Sequence, residues 1–383
     1  MTTRRHFLAT NTAAALAFCA PRVLFAQAAT ERRFVFILQR GAADGLDTVV
    51  PYADPAYASL RGGIAVDPAA ALKLDGTFAL HPALGNLARL HGAGEALFVH
   101  AVASPYRDRS HFDAQNVLES GGRQPYELKD GWMNRLVGVL PRRPREAIAF
   151  APTLPLALRG AADVTSYAPS ALPAASDDLL LRVQQLYADD PQLHALWSAA
   201  MDARGMAGGV DGHNRQDPVQ LGRTAATFLA APDGPRLAMI ETGGWDTHSA
   251  QAGRLSAQLS ALDRLIDALR EGMGSAWSQT VVLVATEFGR TAAVNGTAGT
   301  DHGTASAALL AGGALRGGRV VADWPGLAPS ALYQGRDLQP TLGLDALITQ
   351  VVAETFGLER ERAGRALFPG SRPAKELPQL VRI

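Results

Sequence analysis

A strand–helix–strand unit in residues 235–303 constrains this chain more than any other segment. An apolar run at 237–240 ends in a Thr-Gly-Gly turn, and a β-branched run at 280–285 ends in Thr-Glu. Between them, apolar residues recur at helical spacing over 255–269. A crossover of this kind joins parallel strands. Both strands are therefore predicted to end at the same edge of one sheet, where open α/β sheets bind ligands.

Polar side chains follow the predicted strands at this edge. Asp44 follows the apolar run after Arg33, although an Asp in a Gly-rich turn is also typical of a simple turn former. Adjacent carboxylates repel one another unless a cation offsets their charge. The residues predicted to meet here, and to favour a metal site, are Asp44, Asp246, His248, Glu287, Asp301 and His302.

Ser110 stands where a helix over about 111–120 is predicted to begin, after the apolar run 96–103. A serine at this position is typical of a helix cap, with Asp113 three residues on, and it is equally a candidate nucleophile or metal ligand at an anion-binding helix start. Arg107 and Arg109 precede it and are candidates for holding a phosphate or sulfate group.

The cysteine content limits the metal chemistry. Cys19 is the only cysteine of the chain and lies in a predicted export signal. A mature chain without thiols has no disulfide and no thiolate ligand, so any metal must be held by oxygen and imidazole ligands. Such ligands suit Zn, Mn, Mg or Ca, and two such ions would stabilise a phosphoryl or sulfuryl transfer.

The N-terminus predicts export by the twin-arginine route. Residues 1–28 carry the pair Arg4-Arg5, an Ala-rich apolar stretch and small residues before a predicted cleavage site. This predicts a periplasmic or secreted protein, and the short apolar stretch, interrupted by Pro21 and Arg22, predicts no stable membrane span after signal removal. The full chain has zero formal charge, and loss of its three signal arginines gives −3. Neither value suggests a nucleic-acid or anionic-membrane partner.

The remaining residues, 29–383, are predicted to form a single α/β domain. Its fold class is a mostly parallel central sheet sandwiched between helices, with a helical cap or insertion at about 141–218. The sequence gives no indication of the oligomeric state.

Several stretches resemble one known family in order along the chain: LQRGAADGLDTVVP, RSHFDAQNVLESG, ETGGWDTHSAQ, TEFGRT and GTDHGTASAALLAGG. The resemblance covers nearly the whole chain and is to the twin-arginine-exported proteins known as domain of unknown function 1501. That family looks like a branch of the alkaline phosphatase superfamily, which includes sulfatases. The resemblance implies an alkaline phosphatase-like fold with two metals at the strand ends.

The resemblance also implies roles for single residues. Asp44 matches the acid after the first strand, and Ser110 matches the nucleophile or its position at a helix start. Asp246 and His248 match a metal-binding Asp…His pair, although the usual spacing of that pair is wider. The Asp-His pair at a strand end has two candidates. By the order of the strands, the pair is Glu287-Phe288. Phe288 then stands in place of a metal-binding histidine, which puts the second metal in question. By the match to the Asp-His-Gly motif itself, the pair is Asp301-His302.

Three hypotheses follow. The first is an exported metal-dependent hydrolase of a phosphate or sulfate ester, with Ser110 as nucleophile and an anionic ester or polysaccharide-type substrate. The second is a metal-binding but non-hydrolytic factor for carbohydrate binding or assembly, favoured by Phe288. The third is a structural exported domain without metal.

Overall fold

The computed structural model describes residues 31–141, 146–168, 177–207, 217–371 and 377–382. The predicted export signal lies outside these residues. A nine-stranded sheet forms the centre of the molecule, in the order β11-β5-β10-β9-β1-β8-β6-β7, with β12 paired to β5. Its strands are β1 Arg33–Gln39, β5 Ala96–Ala103, β6 Ala147–Phe150, β7 Thr165–Ser166, β8 Leu237–Thr242, β9 Thr280–Thr286, β10 Ser306–Ala311, β11 Arg319–Val321 and β12 Leu342–Gly343.

The sheet is mostly parallel, as predicted. β8 and β9, the two strands of the predicted crossover, both pair in parallel with β1, which lies between them in the centre. β10 pairs antiparallel with β5 and β9, and it is the one described strand of this sheet with reversed direction. The start of β10 therefore lies at the same edge as the carboxyl ends of β1, β5, β8 and β9.

Helices cover both faces of the sheet. Alternate residues of β1 point to opposite sides: Phe34 and Phe36 pack into one hydrophobic core, and Val35 and Ile37 into the other. The helices are α1 Gly45–Thr48, α2 Tyr57–Arg61, α3 Gly85–Gly92, α4 His111–Ser120, α5 Trp132–Val139, α6 Asp177–Leu186, α7 Pro191–Ala207, α8 Pro218–Ala230, α9 Gln251–Met273, α10 Leu344–Phe356 and α11 Arg360–Leu367. Helices α4, α5 and α10 cover the first core, and α3, α8 and α9 the second.

A small second sheet, in the order β2-β4-β3, follows the first strand: β2 Val49–Val50, β3 Leu72–Lys73 and β4 Ala79–Leu80. In the region predicted as a cap, β6 and β7 instead extend the central sheet, and α6 and α7 supply its described helical part. Leu156–Leu158 form a 3₁₀ turn after Pro155. None of the described helices combines the length and apolar character that crossing a membrane requires.

Candidate metal centre

Three imidazoles and one carboxylate meet at the edge where the parallel strands end. We call this group, His111, Asp246, His248 and His302, the histidine cluster. The Nε2 atom of His302 lies 2.9 Å from Nε2 of His111 and 3.0 Å from Nε2 of His248. Oδ1 of Asp246 lies 3.0 Å from His248 Nε2 and 3.3 Å from His302 Nε2. Donor atoms of His111, Asp246 and His302 all lie within 4.8 Å of one another.

The other ring nitrogen of each histidine contacts an oxygen outside the cluster. Nδ1 of His111 is 2.8 Å from Glu287 Oε1, and Nδ1 of His248 is 3.2 Å from Asp301 Oδ1. Nδ1 of His302 is 3.0 Å from the backbone oxygen of Arg109. A carboxylate or carbonyl oxygen only accepts, so we assign the imidazole hydrogen to Nδ1 in each ring. The Nε2 lone pairs then face inward, as they do in histidines that ligate metals.

These inner contacts exceed what hydrogen bonding can satisfy. With a hydrogen on Nδ1, Nε2 of His302 has one lone pair and accepts one hydrogen bond, yet two other Nε2 atoms lie within 3.0 Å of it. A proton shared with His111 would leave His248 facing a nitrogen without a hydrogen between them. A cation shared by all three rings and Asp246 explains the geometry, so the residues present fit a divalent metal ion.

The carboxylates of the site are held in their charged form. Burial alone would raise the pKa of Asp246, but the hydrogen bond from Arg290 and its positive charge lower it. Burial likewise opposes ionisation of Glu287, whose pKa is lowered by hydrogen bonds from His111 and Gln115. The hydrogen bond to Glu287 raises the pKa of His111, whereas burial lowers that of His302.

Glu287 and Asp301, two of the predicted ligands, contact His111 and His248 of the histidine cluster from outside. The buried Oε1 of Glu287 also accepts from the backbone of Gly41 and from Gln115 Nε2. Asp301 is exposed and accepts from Asn295 Nδ2. Both therefore orient an imidazole in this structure. Phe288, the residue after Glu287, stacks on the His111 ring with centroids 4.9 Å apart and an interplanar angle of 27°.

Asp44 belongs to a different group, although it was predicted as a ligand. We call Asp44, Asp47 and Arg61 the arginine cluster. Asp44 Oδ1 accepts from the backbone amides of Leu46 and Asp47, and Oδ2 accepts from Arg61 and from Gln251 Nε2. The cation opposite Asp44 is thus a guanidinium of the chain itself, and we leave Asp44 out of the ligand set.

A chain of hydrogen bonds joins the two clusters. Arg290 donates through Nη1 to Asp246 Oδ1 over 2.5 Å and through Nε to Thr300 Oγ1 over 3.1 Å. The Thr300 hydroxyl contacts Gln251 Oε1 over 2.5 Å, and Gln251 Nε2 donates to Asp44 over 2.6 Å. This network therefore holds Oδ1 of Asp246, the oxygen that also contacts His248 and His302.

The structure places Ser110 directly before His111 of the histidine cluster. Ser110 is the N-cap residue of α4 as predicted, but its side chain makes no capping hydrogen bond. Arg107 donates to the backbone oxygens of Ser104 and Tyr106. Arg109 donates to Asp337 Oδ2 through Nε and Nη2, at 2.9 and 2.7 Å. Both predicted anion-binding arginines are thus engaged by the protein.

Sequence reasoning missed His111 and Arg290. His111 carries the same signal as Ser110, a polar residue at a helix start after a buried strand, but only the serine was assigned chemistry. Arg290 lies in the TEFGRT motif after β9, and nothing local in the sequence pairs it with Asp246, 44 positions earlier.

Comparisons with known proteins add the family. Residues 31–367 match the family model described as "Protein of unknown function (DUF1501)", and the chain belongs to this family. A search of curated proteins gave no significant match.

Three solved structures share the general architecture at low identity. A 2-O GAG sulfatase is 12% identical, with 86% of this chain and 71% of that chain covered and a TM-score of 0.43. The soluble domain of lipooligosaccharide phosphoethanolamine transferase A from Neisseria meningitidis is 11% identical, with 91% and 96% covered and a TM-score of 0.43. A protein in the alkaline phosphatase superfamily from Vibrio parahaemolyticus is 12% identical, with 87% and 68% covered and a TM-score of 0.40. Because these TM-scores are below 0.5, the likeness carries no argument about function.

Proposed function

We propose that this member of the DUF1501 family is an exported, metal-dependent hydrolase of a phosphate or sulfate ester. The observation that carries the proposal is the histidine cluster, in which three Nε2 atoms and one carboxylate converge while each Nδ1 contacts an outer oxygen. A set of oriented imidazoles on a sheet edge is costly unless a cation occupies it.

The proposed ligands are His111, His248, His302 and Asp246. Three imidazoles and one carboxylate favour Zn among Zn, Mn, Mg and Ca, since Mg and Ca prefer oxygen ligands. A divalent ion held there would supply Lewis-acid polarisation of a phosphoryl or sulfuryl oxygen. Glu287, Asp301 and the Arg109 carbonyl would keep the three rings aimed inward.

Ser110 is the proposed nucleophile. The N-terminus of α4 positions it one residue before His111, and its hydroxyl is not used as a helix cap. Phe288 packs on the rings of His111 and His302 and would keep water away from that side of the ligands. Ser110 would carry the oxygen that attacks the ester, and the charged site would draw an anionic substrate.

Elemental analysis of the mature protein, purified without chelator, tests the metal. We expect bound Zn or another divalent ion in wild type and its loss in His302→Ala and in Asp246→Ala. Hydrolysis of aryl phosphate and aryl sulfate esters is then measured on wild type and Ser110→Ala. Folded wild-type protein without any divalent ion would refute the proposal.

A second function, metal binding without hydrolysis, is favoured by one observation. Arg107 and Arg109, predicted to hold the anion, are bonded within the protein. A carbohydrate-binding or assembly factor would need the metal but no nucleophile. Full metal content with no ester turnover in either wild type or Ser110→Ala would support this second function over the first.

A further inference from the structure

Two arginines share one buried aspartate on the His302 side of the histidine cluster. Arg109 forms its ion pair with Asp337 over 2.7 Å. Arg336 approaches the other oxygen of the same carboxylate, with Nε 3.6 Å from Oδ1, beyond hydrogen-bond distance. Two guanidiniums against one carboxylate leave a surplus of one positive charge in this group.

Arg336 is the arginine of this pair that solvent reaches. Its side chain is 42% exposed, that of Arg109 is 21% exposed, and Asp337 is fully buried. The Nη2 atom of Arg336 donates to the backbone oxygen of His302 over 2.5 Å. This bond holds the guanidinium beside a proposed metal ligand and leaves Nη1 without a protein partner among the described residues.

The other arginines of the site are less exposed to solvent than Arg336. Arg290 is buried and its guanidinium is bonded to Asp246 and Thr300. Arg107 is half-buried and donates to the backbone oxygens of Ser104 and Tyr106. Arg336 therefore offers an entering oxyanion a solvent-accessible guanidinium beside His302.

We propose that Arg336 forms an oxyanion subsite beside His302. This subsite binds the anionic group of the substrate, a phosphate or a sulfate. The guanidinium fork suits the oxygens of such a group, and a hydrogen bond between two charged partners is stronger than a neutral one. The choice of phosphate and sulfate rests on the proposed function, whereas the presence of an anion subsite does not.

Binding of inorganic phosphate and of sulfate to the mature protein tests this inference directly. Titration calorimetry is carried out on metal-loaded and on chelator-treated protein, for wild type, Arg336→Gln and Arg336→Lys. Arg264→Gln, on the exposed face of α9, is the control for loss of one surface charge. Metal content and the thermal midpoint are measured for each variant, to separate anion binding from folding.

We expect Arg336→Gln to lower the affinity for the preferred anion about tenfold, with metal content unchanged. Arg336→Lys should recover part of this loss, and Arg264→Gln should change affinity less than about twofold. Equal anion affinity in wild type and Arg336→Gln would overturn the subsite, even if the protein hydrolyses esters. Anion binding that needs Arg336 in a protein without ester turnover would sustain it while the hydrolase proposal fails.

Discussion

The histidine cluster and the arginine cluster lie on one hydrogen-bond network, but they differ in how far their charged side chains are buried and in what contacts them. Side chains of the arginine cluster are 0 to 2% exposed, and the two carboxylates contact a guanidinium supplied by α2. Side chains of the histidine cluster are 21 to 45% exposed, and their inner nitrogens face one another. One cluster is complete from the chain alone, and the other has the composition of a site completed from solution.

The arginine cluster should contribute most to stability. Arg61→Met removes the only cation bonded to the Asp44 and Asp47 carboxylates in the described structure, and should lower the free energy of unfolding by about 3–5 kcal/mol. Urea unfolding with chelator present measures the change, with His302→Ala as the comparison from the histidine cluster. A loss as large in His302→Ala as in Arg61→Met would erase the difference between the clusters.

Metal removal should act through the histidine cluster alone. Zn at about 1,000 times its dissociation constant should raise the free energy of unfolding by about 4 kcal/mol over chelator-treated protein, because the ion binds the folded state. His302→Ala should lose this increment, and Arg61→Met should keep it while it remains folded. An equal Zn effect in wild type and His302→Ala would place the ion elsewhere.

The pH dependence of the free energy of unfolding should report on His100, which is buried and feels the charge of Asp44. Burial lowers the pKa of His100 from 6.5 to about 4, and its ring stacks on Phe78. Between these two values the unfolded chain binds a proton that the folded chain does not. Stability therefore falls as pH falls from 6.5 to 4, by about 3 kcal/mol, and this decrement is complete below the folded pKa.

The difference between wild type and His100→Gln, measured by urea unfolding in chelator from pH 7 to 4, isolates the His100 contribution. The variant should show a flatter pH profile than wild type. Parallel profiles would mean that His100 titrates normally in the folded protein.

The smallest expected effect concerns the outer oxygens of the histidine cluster. Glu287→Gln removes the charge that accepts from His111 Nδ1 and should weaken metal affinity about 10- to 100-fold without abolishing binding. Competition with a chromophoric chelator measures it, beside Asp301→Asn as the exposed counterpart, for which a smaller loss is expected. Complete loss of metal in Glu287→Gln would make Glu287 a direct ligand.

The central sheet could be predicted from the sequence because buried parallel strands are continuous apolar runs. The predicted bounds of β5 and α4 agree with the structure. β7 consists of Thr165 and Ser166 and was missed, because two polar residues carry no periodic signal. Because the predicted strands end at one edge of the sheet, the sequence also predicted that Asp246, His248 and His302 would lie close together.

The division of the acids between two clusters could not be predicted. Arg61, which neutralises Asp44, lies 17 positions away on a short helix with no sequence signal toward an acid. His111 and Arg290 reach the centre through tertiary packing, from α4 and from the segment after β9. Sequence patterns identify the edge of the sheet that carries the polar site residues. Which charged groups pair there depends on neighbours that only the folded structure brings together.

The reversed direction of β10 has a consequence for how this chemistry could be moved between proteins. The segment from Glu287 to Ala305 leaves β9 and enters β10 at one edge, and Arg290 pairs with His302 across it. Its base is pinched at Gly289, where an added Cβ would lie 1.8 Å from the Ala305 oxygen. Glu287, the Arg290 guanidinium and the His302 imidazole are thus carried by one loop whose two ends lie side by side. We expect a graft of this loop onto another antiparallel strand pair to bring these three side chains together.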